Sequence, residues 1–325
     1  MTEKRQIKQA HFQITRNCNL RCPFCGQWGK KGFFADSSGN AMTLDDWKRI
    51  ISELKEYREK HRENITVTVW GGEPLVSPCF DEIMALLKED NFDTEVITNG
   101  VLINEHTNII KNCVDRLYVS LDGAKEVHNG IRGEGVFETV TQNLKNLKHD
   151  NVTVMSVITP NLLNSLDEFL PELDKLDIKR LYLQDMIGLS SGEISEYKAW
   201  LKSVFNTDAR DIDSWQNESL FKADNIVTGK HSYEICHKTH TNEGHCKSPF
   251  NHIHIAWNGN VLYCTDFYDF SAGNVKENTI ENIFLNEKSE KYRQEILNGR
   301  CVTCNHCSWK SNEFKENLYG NNCKE

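Results

Sequence analysis

The sequence has no run of about 18 apolar residues, so no membrane-spanning helix is expected. It opens on MTEKRQIKQA, which lacks the apolar stretch of a secretory signal. No block of Lys and Arg stands out, and the formal net charge is -9, which disfavours non-specific binding to nucleic acid. No internal repeat or low-complexity tract breaks the pattern. These absences point to a cytoplasmic globular protein with neither nucleic acid nor membrane as partner. With 325 residues, 38% hydrophobic and 26% charged, the chain is long enough to bury a substantial core. That length suits two domains, or one large α/β barrel with an appendage.

Cysteine is the residue in excess. Twelve are too sparse for a small disulfide scaffold and too many for an ordinary enzyme. In a reducing compartment, clustered cysteines more often bind metal than pair with each other. Three crowd the N-terminus, at Cys18, Cys22 and Cys25. Seven fall in the last ninety residues, at Cys236, Cys246, Cys264, Cys301, Cys304, Cys307 and Cys323. This predicts two metal sites in separate parts of the chain. Cys79 and Cys113 stand alone and read as small buried hydrophobes.

Strand-like segments at 11–16, 65–70, 95–98, 116–121, 152–158 and 180–184 alternate with helical patterns. The clearest helix covers 44–61, where Trp47, Ile50, Ile51, Leu54 and Tyr57 recur on one face. Thr43 and Asp46 are placed to form its N-terminal capping box. Further helices are expected from about Pro78 and over 104–113, 136–149, 164–176, 193–206 and 279–297. Six strand–helix repeats predict an α/β fold, a parallel sheet shaped as an open partial (β/α)6 barrel of the TIM type. Ligands should gather at the C-terminal ends of its strands. The expected organisation is a barrel core over 1–206, a linker over 207–235 and a small cysteine-rich α+β domain over 236–325. A hairpin is expected at 251–264, turning at Asn258-Gly259.

The first strand runs into CNLRCPFC, with three residues between the first two cysteines and two before the third. Three thiolates on one loop leave a cluster one position short, and chemistry can use an open position. This spacing, with Phe24 before the third cysteine, resembles the signature of the radical S-adenosylmethionine (SAM) superfamily. The likeness extends to Gly71-Gly72-Glu73-Pro74 after the second strand and to Asn99-Gly100 after the third. Ser120-Leu121-Asp122-Gly123 and Arg132 follow the fourth. The resemblance implies that Cys18, Cys22 and Cys25 hold three irons of a [4Fe-4S] cluster and that SAM fills the fourth. It also implies a SAM site built from Phe24, Gly71, Gly72, Glu73, Pro74, Asn99, Ser120, Asp122, Arg132 and Gln184. Glycine would let backbone approach SAM, Glu73 would accept from its amino group, and Arg132 would pair with its carboxylate.

Cys246, twelve residues, Gly259, four residues and Cys264 resemble the start of the SPASM and Twitch extensions of that superfamily. CVTCNHC then supplies Cys301, Cys304 and Cys307. The end of a full two-cluster SPASM domain is not matched, because fifteen residues separate Cys307 from Cys323. One auxiliary [4Fe-4S] cluster is the first expectation and two the second. Spacing does not say which of Cys301, Cys304 and Cys307 it uses. Cys236 and Cys323 are left as ligands of a second cluster or as thiol hydrogen donors. Asp266 is a candidate proton acceptor or a turn residue. His237, His240, His245, His252 and His254 read as surface or core-edge residues.

The resemblance implies radical oxidation, cross-linking or epimerisation of a peptide or protein. Dehydrogenation or epimerisation of a sugar or aminocyclitol is the alternative, and a non-catalytic iron–sulfur protein a remote one. A first strand near residue 11 leaves no room for an N-terminal leader-binding domain, which weighs against peptides. A flavodoxin- or ferredoxin-like reductant is the expected partner.

Overall fold

The computed structural model describes residues 5–28, 32–35, 41–184, 188–216, 245–301 and 303–304, with the backbone alone of 234–236. Six strands come first: β1 (Gln9–Thr15), β2 (Thr66–Gly71), β3 (Asp93–Thr98), β4 (Arg116–Ser120), β5 (Val152–Val157) and β6 (Arg180–Gln184). Each pairs in parallel with the next, as the strand–helix alternation requires. The helices between them are α1 (Leu44–His61), α2 (Phe80–Glu89), α3 (Thr107–Cys113), α4 (Lys125–Arg132), α5 (Val136–Leu147), α6 (Pro160–Asn164) and α7 (Leu166–Lys175). After β6 comes α8 (Ser191–Phe205).

The sheet does not stop at six strands. β7 (Glu234–Cys236) adds in parallel to β6, so the span expected as linker ends in a strand. β8 (His252–Ile255) pairs in parallel with β1 on the other side. β9 (Asn260–Leu262) and β10 (Gly273–Asn274) follow β8 in antiparallel order. The ten-stranded order is therefore β10-β9-β8-β1-β2-β3-β4-β5-β6-β7. Among the described residues its two ends do not pair with each other, consistent with an open partial barrel. The cysteine-rich hairpin is thus a continuation of the barrel wall. It turns at Gly259, whose φ of 89° suits glycine.

Two faces explain the strand sequences. In β1, Ala10, Phe12 and Ile14 point outward to the helices and are buried there. Phe12 packs on Trp47 of α1, ring centroids 4.9 Å apart. The five apolar residues of α1 bury against the sheet, and Thr43 and Asp46 close the capping box. Each such side chain contributes roughly 1.5–3 kcal/mol. Cys113 is buried in this layer, and Cys79, at the N-cap of α2, packs against it. The alternate residues point into the barrel and are polar. Gln9 donates to Thr68 (3.1 Å), Thr68 to Glu95 (2.6 Å) and Arg116 to Glu95 (2.8 Å). That layer plugs the N-terminal end of the barrel and leaves the other end for a site.

Two helices depart from expectation. α4 carries no long apolar stripe, which hid it; its buried members are His128 and Asn129. The helix expected over 279–297 is two, α10 (Ile280–Leu285) and α11 (Glu287–Leu297), hinged at Asn286, which caps α11 through Ser289. A short α9 (Ser248–Asn251) precedes β8. Arg293 of α11 is fully buried and ties all three together, donating to the carbonyls of Pro249 (2.8 Å) and Phe284 (2.6 Å). Among the described residues no helix is long and apolar enough to cross a membrane.

Candidate functional site

The three N-terminal cysteines lie on the loop that leaves β1. Cys18 feels the charges of both Cys22 and Cys25, so the three thiols are neighbours on this loop. Burial pushes Cys18 up to about 11 and also raises Cys22. The loop feeds hydrogen bonds to sulfur: Leu20 N–H to Cys18 and Trp28 N–H to Cys25, each 3.4 Å. Asn99 Nδ2 lies 3.9 Å from Cys18 Sγ. Neighbouring thiols ringed by N–H donors, two of which, Cys18 and Cys22, burial makes reluctant to ionise, fit an iron–sulfur cluster, whose iron deprotonates its thiols.

The loop after β2 holds this one in place. Gly72 N–H donates to Thr15 O (2.9 Å) and Glu73 N–H to Asn17 O (2.8 Å). A Cβ on Gly71 would sit 2.5 Å from Thr15 O, and one on Gly72 2.3 Å from Arg16 O. The glycines therefore admit the backbone of the cysteine loop. Glu73 is fully buried and its carboxylate is already engaged. It accepts from Leu75 N–H (3.1 Å), Thr98 hydroxyl (2.6 Å) and Asn99 N–H (2.6 Å). Burial pushes it up to about 7. Glu73 thus knits β2 to β3, and Pro74 opens the buried turn beside it. Asn99 extends the network through Asn19 Oδ1 at 2.7 Å.

Asp122, after β4, is completely buried. Its Oδ1 accepts from Val157 N–H (2.9 Å) and its Oδ2 from Arg132 Nε. Arg132 in turn reaches over the Phe24 ring, 5.9 Å from its centroid, and its charge acts on Cys22 and Cys25. Ser120 is half-buried at the end of β4, in register with Met155. The structure brings Phe24, Asp122 and Arg132 together beside the cysteine loop and sets Gly71, Gly72, Glu73 and Asn99 against that loop.

At the same end of the barrel lies a cavity of about 280 Å³. Its barrel side is lined by His11, Trp70, Ile97, Met155, Gln184 and His254, and its far side by Cys246, Cys264, Cys301 and Cys304. Four of the five cysteines named for the auxiliary site share one wall. Tyr197 and Tyr292 each feel the charges of Cys264, Cys301 and Cys304. Cys264 accepts from Asp266 N–H (3.5 Å), and Cys301 lies 3.2 Å from the Thr303 hydroxyl. Among the described residues no three His, Cys, Asp or Glu converge as they would on a single metal ion; a multi-iron cluster spreads its ligands more widely. Asp266 lines the cavity, and burial pushes its carboxyl up to about 6. The backbone of Cys236 pairs with Tyr182 at the sheet edge. Cys307, Cys323, His237 and His240 lie outside the described residues.

Of the surface and core-edge readings, His252 and His254 fall on the core-edge side: both are buried in the cavity wall. In β8 they alternate with Ile253 and Ile255, and register sets His254 opposite His11. That period-two pattern was the signal that placed them inside. Nothing comparable flags Trp70 or Tyr197, which only packing brings to the site.

The radical SAM superfamily model matches residues 12–176, just over half of the chain. The chain belongs to the radical SAM superfamily. The SPASM model, an iron–sulfur cluster-binding domain, matches residues 246–308. These two domains give the protein a [4Fe-4S] cluster with SAM, and an auxiliary iron–sulfur cluster. The chain is 22% identical over 346 residues to the Fe-coproporphyrin III synthase of Methanosarcina barkeri, covering 95% of this chain and 84% of that one. It is 24% identical over 322 residues to a cysteine-type anaerobic sulfatase-maturating enzyme of Clostridium novyi, covering 90% and 83%. A solved structure, native anSMEcpe with bound AdoMet, shares this radical SAM fold at a TM-score of 0.62 and 15% identity, covering 93% and 89%.

Proposed function

We propose that this chain reductively cleaves SAM at the N-terminal site and abstracts hydrogen from an unactivated C–H of a peptide or protein side chain. Cys18, Cys22 and Cys25 hold the cluster that does this. When bound, the cluster supplies one electron, which splits SAM into methionine and a 5′-deoxyadenosyl radical. Arg132 offers its remaining guanidinium nitrogens to the SAM carboxylate, while Glu73 and Asn99 keep the cysteine loop in place. Cys246, Cys264, Cys301 and Cys304 hold the auxiliary cluster, with Cys307 as the reserve ligand. Asp266, on the cavity wall, takes the proton that an oxidised substrate releases. A thiol-donor role for Cys236 or Cys323 belongs to an epimerase outcome, which deuterium incorporation from heavy water reads out. A small flavodoxin- or ferredoxin-like protein delivers the electron, in the cytoplasm.

The observation that carries this reading is the single cavity shared by the barrel ends and the four distal cysteines. Its described lining is rich in aromatic rings, and its acidic group is Asp266. Such a pocket suits a neutral side chain better than an anionic substrate. Similarity to a sulfatase-maturating enzyme supports a protein substrate. Similarity to Fe-coproporphyrin III synthase favours a small molecule as the second reading.

Anaerobic reconstitution followed by dithionite and SAM is the test. The expected product is 5′-deoxyadenosine. A loaded cluster that yields none overturns the enzymatic reading and leaves a non-catalytic iron–sulfur protein. The Cys18/Cys22/Cys25→Ala variant should form no 5′-deoxyadenosine and retain about four irons for one auxiliary cluster, or about eight for two.

A further inference from the structure

SAM cleavage does not explain why a carboxylate is buried behind Arg132. Asp122 is completely shielded, and the Arg132 side chain is 11% exposed. The pair is anchored from two directions. Val157 N–H donates to Asp122 Oδ1 at 2.9 Å, and Asp122 N–H donates to His128 Nδ1 at 3.0 Å. Asp122 Oδ2 takes Arg132 Nε, which fixes the guanidinium plane. The guanidinium carbon lies over the ring of Phe24, the residue between Cys22 and Cys25 in the chain, 5.9 Å from its centroid. At Cys22 the Arg132 charge outweighs that of Asp122. The dipole of the pair is therefore aimed with its positive end at the cysteine loop.

We infer that the Asp122–Arg132 pair sets the reduction potential of the N-terminal cluster, Asp122 acting as the positioning residue that aims Arg132. The inference rests on the reading that Cys18, Cys22 and Cys25 hold that cluster. Reduction adds one electron, supplied by an external low-potential donor, and no proton. A nearby positive charge in a poorly solvated site favours the more negative, reduced state. Removing Arg132 lowers the potential. Neutralising Asp122 leaves the guanidinium uncompensated and raises it. Asn at 122 removes the charge and keeps one acceptor oxygen, enough for Val157 N–H or for Arg132 Nε–H but not for both, because its NH2 group stands where the other carboxylate oxygen was.

The experiment is a dithionite titration of the cluster-loaded full chain without SAM, at fixed pH, followed by electron paramagnetic resonance. The N-terminal signal is the one that Cys22→Ala removes. If that substitution removes no signal, the ligand reading fails, independently of the pair. With the signal assigned, Asp122→Asn should move the potential upward and Arg132→Met downward, with Arg132→Lys close to wild type. A purely structural role would lower cluster occupancy without opposite shifts. Unshifted potentials, or shifts of the same sign, overturn the inference. Should Arg132→Met fail to load its cluster, Asp122→Asn against Arg132→Lys decides, and an unshifted Asp122→Asn refutes it.

Discussion

Replacing Gly72 by Ala tests whether the loop after β2 supports the cysteine loop. A Cβ there would lie 2.3 Å from Arg16 O and 2.4 Å from Asn17 O, both backbone atoms. Neither can swing aside as a side-chain tip would. Gly72 does not have a positive φ, so the cost is steric. Overpacking of this kind costs about 1–3 kcal/mol. Relief by separating the loops weakens the Gly72–Thr15 and Glu73–Asn17 hydrogen bonds, each worth about 1 kcal/mol. The stiffer unfolded chain offsets about 0.4–1 kcal/mol. The net loss is about 2–4 kcal/mol. With roughly 2.1 cal/mol/K of unfolding entropy per residue over 325 residues, that lowers Tm by about 3–6 °C. The assay is anaerobic calorimetry at matched iron content. Gly130→Ala is the control, because nothing lies within 4 Å of the Cβ it would gain and the position is helical and exposed. It should raise Tm by about 1 °C. A Gly72→Ala protein melting within about 1 °C of wild type, or a control that falls as far, refutes the reasoning.

Asp269 accepts backbone N–H groups from Arg210 (2.7 Å), Asp211 (2.8 Å) and Ile212 (3.0 Å), tying the segment after α8 to the cysteine-rich end. Asp269→Ala should cost about 1–3 kcal/mol by leaving these donors without it; an unchanged melting temperature would remove that role. Burial, then the charge of Asp269, pushes Asp211 up to about 6 from 3.8. A raised carboxyl contributes stability below its unfolded pKa and loses it as pH rises through the folded value. Asp211→Asn should therefore raise Tm relative to wild type above about pH 7, with the gain shrinking toward about pH 4. A pH-independent difference would contradict the burial argument.

Local pattern made much of this protein legible. The apolar stripe of α1 and its Thr43 cap are properties of a few neighbouring residues, and they form as read. The six parallel strands follow from alternation, because parallel pairing needs a crossover helix. Cysteine spacing located both metal-binding regions and left the choice among Cys301, Cys304 and Cys307 open. α4 was illegible because polar groups, Asn129 and His128 among them, supply its buried face. The Val157 partner of Asp122 was illegible too, since it comes from β5 and meets the residue after β4 only through strand register.

The sequence by itself determined the superfamily, the open barrel and the two ends at which cysteine chemistry sits, because these depend on spacing along the chain. Tertiary structure alone decided that the distal hairpin joins the barrel through β8 and β1. That pairing carries His252 and His254 into the cavity and sets Cys246, Cys264, Cys301 and Cys304 along its wall. It also decided that Glu73 and Asp122 spend hydrogen bonds on the scaffold. Such contacts join residues far apart in sequence, and only the close packing of the folded sheet fixes which groups share a buried site.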